Sequence, residues 1–77
     1  MIDSKLYTLL KVAELGSFTQ AGKALNLTQP AISQHIHALE NELGAKLFER
    51  SGNHLLLTQQ GEQALSTAKA MVGLYTS

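Results

Sequence analysis

The stretch SFTQAGKALNLTQPAISQHIH, residues 17–37, holds two helix starts with almost nothing between them. Ser17-Phe18-Thr19-Gln20 has the S-x-x-Q form of a capping box, which satisfies free N–H groups at a helix entrance. It predicts a short helix from Phe18 to about Leu25, with Phe18, Ala21, Ala24 and Leu25 facing inward. Gly22 lowers helix propensity there but permits close approach by another helix. Asn26-Leu27 is the only connection before Thr28, a good N-cap. Gln29-Pro30 then places proline in a first helical turn, where its missing N–H is not needed. The helix so opened is predicted over Gln29–Leu43, and Gly44 ends it. Ile32, Ile36, Leu39 and Leu43 share a narrow stripe at 100° per residue, so that face is core. Pro30, Gln34, His37 and Asn41 stand opposite, with Ser33 on the flank, a face suited to hydrogen bonding.

Upstream, Asp3 or Ser4 caps a first helix carrying Leu6, Leu9, Leu10 and Ala13 at helical spacing, with Gly16 as its terminator. Downstream of Gly44 the period changes. Leu47-Phe48-Glu49-Arg50, Ser51-Gly52-Asn53 and His54-Leu55-Leu56-Leu57 read as a β-hairpin around a tight glycine turn. Thr58 caps a last helix from Gln59 onward. Along it Leu65, Ala68, Val72 and Tyr75 alternate spacings of three and four, with Gly61 one step earlier, a heptad-like seam. That seam either packs on the first helix of its own chain or joins two chains. A helix of about 19 residues extends nearly 30 Å, longer than so small a body covers. Homodimerisation through Leu65, Ala68, Val72 and Tyr75 is therefore expected.

Composition sets the outer limits. The chain has 77 residues, 44% of them hydrophobic, which means one small ordered domain. It contains no cysteine, which excludes a disulfide framework, a zinc ribbon and a thiol nucleophile, and fits a reducing cytosol. No apolar run approaches the roughly 20 residues of a membrane span, and Met1-Ile2-Asp3-Ser4 does not open a signal peptide. Formal net charge is zero, so the chain is no nonspecific polycation. Within the middle of the chain Lys23, Lys46 and Arg50 are offset by Glu40, Glu42 and Glu49. Three histidines, His35, His37 and His54, can add partial positive charge near neutral pH.

Two helices joined by a short turn, the second with a polar outward face, form a helix-turn-helix, and a following hairpin makes the winged version. An α-helix fits the DNA major groove, where each base pair shows a distinct set of donors and acceptors. Gln29, Ser33 and Gln34 supply neutral groups for base edges, Pro30 an apolar contact, and His37 reaches a base or a backbone oxygen. Ser17, Thr19 and Thr28 sit at helix starts, where hydroxyls and N–H groups hold a phosphate. Arg50 at the base of the wing and His54 beyond its tip are the expected backbone or minor-groove contacts.

The run Glu14-Leu15-Gly16-Ser17-Phe18-Thr19-Gln20-Ala21, with Leu25 and Thr28-Gln29-Pro30-Ala31-Ile32-Ser33, resembles the N-terminal domain of LysR-type transcriptional regulators. Ile36, Ala38-Leu39-Glu40, Glu42-Leu43-Gly44, Leu47-Phe48-Glu49-Arg50 and Leu57-Thr58 with Gly61 extend the likeness over nearly the whole chain. The resemblance implies a mainly α winged helix-turn-helix over residues 1–58, with the helix-turn-helix at 18–37 and the wing at about 46–57. Residues 59–77 would be a linker helix that pairs two subunits. It further implies a cytoplasmic protein that binds a two-fold symmetric site on double-stranded DNA. A small-molecule effector would act only through a C-terminal domain absent from this chain, which resembles an excised fragment or a natural short form. The sequence departs from the family's habit at Gln34, where arginine is frequent, at His37 and the Ser51–His54 wing, where basic residues are frequent, and at Gly22, usually alanine.

Other chemistries fit poorly. His35 and His37 lie about 200° apart on a helix and cannot chelate one ion, and His37 with Glu40 lacks further ligands. Ser33 and His37 stand at hydrolase-like spacing, but no acid orients the histidine. No metal, cofactor or catalytic residue is expected, and no membrane partner. The remaining alternative is a winged-helix protein-interaction module, which the near-zero charge favours.

Overall fold

The computed structural model describes residues 4–76, with side chains through residue 73. The element order is α1 (Ser4–Leu15), α2 (Phe18–Leu25), α3 (Gln29–Leu43), β1 (Phe48–Ser51), β2 (His54–Leu57) and α4 (Gln59–Thr76). This is the expected winged helix-turn-helix followed by a long helix. Of the two caps expected for α1, Asp3 lies outside the described residues and Ser4 is already helical.

The turn between α2 and α3 has a local cause that the sequence shows only in part. Asn26 adopts the left-handed region at φ 58°, which asparagine tolerates better than other side chains with a Cβ. The chain then doubles back, and the Leu27 N–H donates to the Gly22 carbonyl at 2.7 Å. A Cβ on Gly22 would stand 2.6 Å from the Leu27 carbonyl oxygen. Gly22 thus makes room first for the chain's own turn and, beside it, for the start of α3, whose Gln29 N would stand 3.6 Å from that Cβ.

The core gathers Leu9 and Val12 from α1, Ala21 from α2, Ile32, Ile36 and Leu39 from α3, Leu47 and Ala68. Each large aliphatic side chain so covered contributes about 1.5–3 kcal/mol relative to exposure. Three expectations change. Val12 is fully buried while Ala13 is only half-buried, because α1 faces α2 and α3 as well as α4. Ala24 is exposed, since it lies off the arc shared by Phe18, Ala21, Gly22 and Leu25. Leu43 is 55% exposed at the lip of an open groove whose walls include Leu6, Leu39, Gln63 and Met71.

The strands pair antiparallel in the register Phe48↔Leu57, Glu49↔Leu56, Arg50↔Leu55 and Ser51↔His54. Of the two linking residues only Gly52 has positive φ, 62°, as in a type II′ hairpin turn. Leu47 precedes β1 and is buried, so the strand starts one residue later than the sequence suggests. Two strands alone are marginal. The hairpin leans on the helices through Phe48, whose ring meets Phe18 edge-on at 6.0 Å, and through Leu55.

Thr58 joins hairpin to α4. Its N–H donates to the Leu47 carbonyl at 3.0 Å, its hydroxyl donates to the Lys46 carbonyl, and its oxygen accepts from the Gly61 N–H at 2.9 Å. The first half of α4 then lies against the body. Gly61 and Ala68 are fully covered, and Leu65 is half-buried beside Leu10 and Ala13 of α1. Ala68 is thus covered within its own chain, beside Leu6 and Leu9 of α1. Leu65 is turned the same way, Val72 is half-buried, and the Tyr75 side chain lies outside the described residues. No described helix is long and apolar enough to cross a membrane.

Candidate nucleic-acid interface

The outer face of α3 is open. Gln29, Pro30, Gln34, His37 and Asn41 are exposed, and Ser33 is half-buried at the flank. The stripe that turns them outward is the same one that buries Ile32, Ile36 and Leu39 on the opposite side. No acidic residue lies in the first turn of α3, so nothing there repels a phosphate.

Both helix entrances beside this face are capped by hydroxyls. Ser17 Oγ accepts from the Gln20 N–H at 3.1 Å, and Thr28 Oγ1 accepts from the Ala31 N–H at 3.2 Å. Each hydroxyl still has its own proton to donate. Thr19 is exposed in the first turn of α2, one turn before Lys23 on the same side.

On the other flank, His37, Glu40, Lys46, Glu49 and Arg50 rim a cleft between α3 and the hairpin. Phe18, Ile36, Phe48 and Leu55 also line it. Glu40 is not a free anion at this rim, for its carboxylate accepts the Leu47 backbone N–H at 2.9 Å. Arg50 projects from β1 opposite Leu55, and His54 opens β2 beside the turn, both exposed.

These contacts rearrange the charge balance. Lys5 of α1 holds Glu42 at 2.9 Å, and Lys11 holds Glu14 at 3.1 Å. Lys23, Lys46 and Arg50 have no ion pair among the described residues. The charges of Lys23, Lys46 and Arg50, offset in sum by Glu40, Glu42 and Glu49, are not paired with them among the described residues. Lys23 and Lys46 therefore join Arg50 as available cations around the α3 face, a role that sequence reasoning missed. The i,i+3 spacing of Lys11 and Glu14 was a legible signal; the reach from Lys5 to Glu42 was not.

His35 plays a different part from His37. Its Nδ1 lies 2.8 Å from Thr8 Oγ1 of α1, so the ring turns inward while His37 faces out.

What remains is a helix-sized projecting element with neutral amides and hydroxyls, flanked by free cations and two hydroxyl-capped helix starts. A helix of about 10–12 Å diameter fits a major groove about 12 Å wide. Gln side chains there offer the paired donor and acceptor that match adenine.

Comparison with known proteins agrees with this geometry. The family model described as "Bacterial regulatory helix-turn-helix protein, lysR family" matches residues 4–62. Two Bacillus subtilis proteins, the uncharacterized HTH-type transcriptional regulators YxjO and YvbU, are similar. YxjO is 46% identical over 70 residues, covering 91% of this chain and 24% of its own length. YvbU is 52% identical over 66 residues, covering 84% and 23%. The chain thus spans about a quarter of the length of these relatives. The crystal structure of a complex of the CbnR DNA-binding domain with DNA superimposes with a TM-score of 0.88 at 36% identity, covering 97% of this chain and 86% of that one. A sequence match across both helix-turn-helix and wing, on a fold shared with a DNA-bound domain, leads to one assignment: the chain belongs to the LysR family of bacterial helix-turn-helix regulatory proteins and forms its DNA-binding domain.

Proposed function

We propose that this chain reads a specific, two-fold symmetric sequence of double-stranded DNA as a homodimer, within a cytoplasmic LysR-type regulator. Residues 1–58 serve as the reading unit and 59–77 as the linker helix. Gln29, Pro30, Ser33, Gln34 and His37 face base edges in the major groove. Ser17, Thr19 and Thr28 hold the backbone at the two helix entrances, and Arg50 and His54 touch backbone or minor groove from the wing. Lys23 and Lys46 add phosphate contacts. The single observation that carries this reading is the exposed, nearly uncharged face of α3 between two capped helix starts and the wing. A small-molecule effector acts through a C-terminal domain outside this chain.

Selection from a randomised duplex pool at low salt tests it. Enrichment of a two-fold symmetric site, bound more weakly as salt rises, is the expected result. Failure to enrich any sequence would instead favour the protein-interaction module.

Dimerisation uses the α4 seam of Leu65, Ala68, Val72 and Tyr75 together with the groove beside it, which Ala68 also lines. Leu43, at 55% exposure, and Met71, at 39%, border an open apolar groove with Gln63 and Thr67. Covering such a patch favours association, and the packing of Gly61 and Ala68 along α4 makes the spacing of two reading heads rigid. Met71→Glu should therefore shift the species in sedimentation equilibrium from dimer to monomer, with affinity for a full operator falling by more than about tenfold. An unchanged mass would move the contact elsewhere.

A further inference from the structure

Thr8 is the buried polar side chain of the described core, only 1% exposed. A buried hydroxyl is costly unless hydrogen-bonded. Its Oγ1 lies 2.8 Å from His35 Nδ1 and 3.3 Å from the Ser4 carbonyl. One arrangement uses every proton once: His35 Nδ1–H donates to Thr8, and the Thr8 hydroxyl donates to Ser4. The chain of bonds runs from the backbone of α1 into the middle of α3.

Its position on α3 gives it consequence. His35 is adjacent to Gln34 and two residues from both Ser33 and His37, yet its ring turns toward α1. The remaining grip on α3 comes largely from Ile32, Ile36 and Leu39. Apolar packing of this kind is non-directional, so it resists removal of the helix better than a small roll about its axis. Side-chain tips stand about 5–6 Å from a helix axis, so a 10° roll displaces them by about 1 Å. That displacement spoils a bidentate base contact, whose donor–acceptor distance tolerates only about 0.5 Å. The Lys5–Glu42 pair also links α1 to α3, but Glu42 is 60% exposed and the pair is weakened by salt.

We propose that Thr8 and His35 are positioning residues that fix the roll of α3 and so set base discrimination without touching DNA. The proposal rests on the DNA-reading assignment above. It separates two quantities that an interface residue changes together: discrimination depends on the angle of the face, whereas attraction to phosphate depends on charge.

The test measures the affinity of the selected operator relative to a scrambled duplex at one salt concentration, together with thermal unfolding. Thr8→Val retains the shape of the side chain, and His35→Ala removes the other partner. Each should lower the operator-to-scrambled ratio by about tenfold, the scale of one weakened base contact, while scrambled-duplex affinity stays within about twofold. The double variant should be no worse than either single one, because both remove the same bond. His35→Asn places an amide group where Nδ1 stood and should restore the ratio. A purely structural role would lower the unfolding temperature and leave the ratio untouched at 25 °C. Ratios within about twofold of the parent in both single variants, or a loss in His35→Ala alone, overturn the proposal. If the parent protein selects no operator at all, the DNA-reading assignment falls first and this one with it.

Discussion

Gly61→Ala is expected to destabilise the domain by about 2–3 kcal/mol, the upper part of the range for overpacking a closed site. For a chain of this size that lowers the unfolding temperature by roughly 10–20 °C. The direction opposes helix propensity, since alanine is the better helix former by about 1 kcal/mol. The reason is contact across elements. A Cβ on Gly61 would overlap the Leu47 carbonyl oxygen and approach Leu57 Cδ2 to 2.8 Å. That carbonyl cannot retreat freely, because it accepts the Thr58 N–H that starts α4. At Gly73 in the same helix, a Cβ would meet nothing within 4 Å, so Gly73→Ala should raise stability by about 0.5–1 kcal/mol. Thermal unfolding followed by circular dichroism measures both. Equal shifts for the two alanines would mean that α4 does not press against Leu47.

The second large effect is on binding. Gln34→Ala should leave stability within about 0.5 kcal/mol, because Gln34 is exposed and has no partner among the described residues. On the selected operator it should relax preference at one base-pair position of each half-site by about 1–3 kcal/mol, roughly 5- to 150-fold. Affinity for scrambled duplex should hardly change. Lys46→Ala should do the reverse, weakening all duplexes alike and reducing the slope of log affinity against log salt by about one. A uniform loss from Gln34→Ala, with no position relaxed, would remove Gln34 from base readout.

Local chemistry made much of this molecule legible before any coordinate. The span of α3, Gln29–Leu43, follows from Thr28, Pro30 and Gly44, each of which acts within one turn of its own position. The span of α2 follows from Ser17 in the same way, and the hairpin from Gly52 between two short apolar runs. The exposed face of α3 was readable because helical period alone places Gln34 and His37 opposite Ile32 and Ile36. Lys23 and Lys46 were not readable as free cations, since adding charges along the chain says nothing about which carboxylates fold away from them.

The sequence by itself determined the bounds of α2 and α3 and which side of α3 is polar, because caps, glycines and 3.6-residue periodicity are short-range effects. Only the tertiary structure decided that α1 covers Ala68, that Lys5 takes Glu42, and that His35 bonds Thr8. The physical reason is that an apolar stripe or a charge has no partner of its own. Burial free energy is non-directional, and a side chain three or four turns away in sequence competes equally with one brought in from another helix, until packing chooses between them.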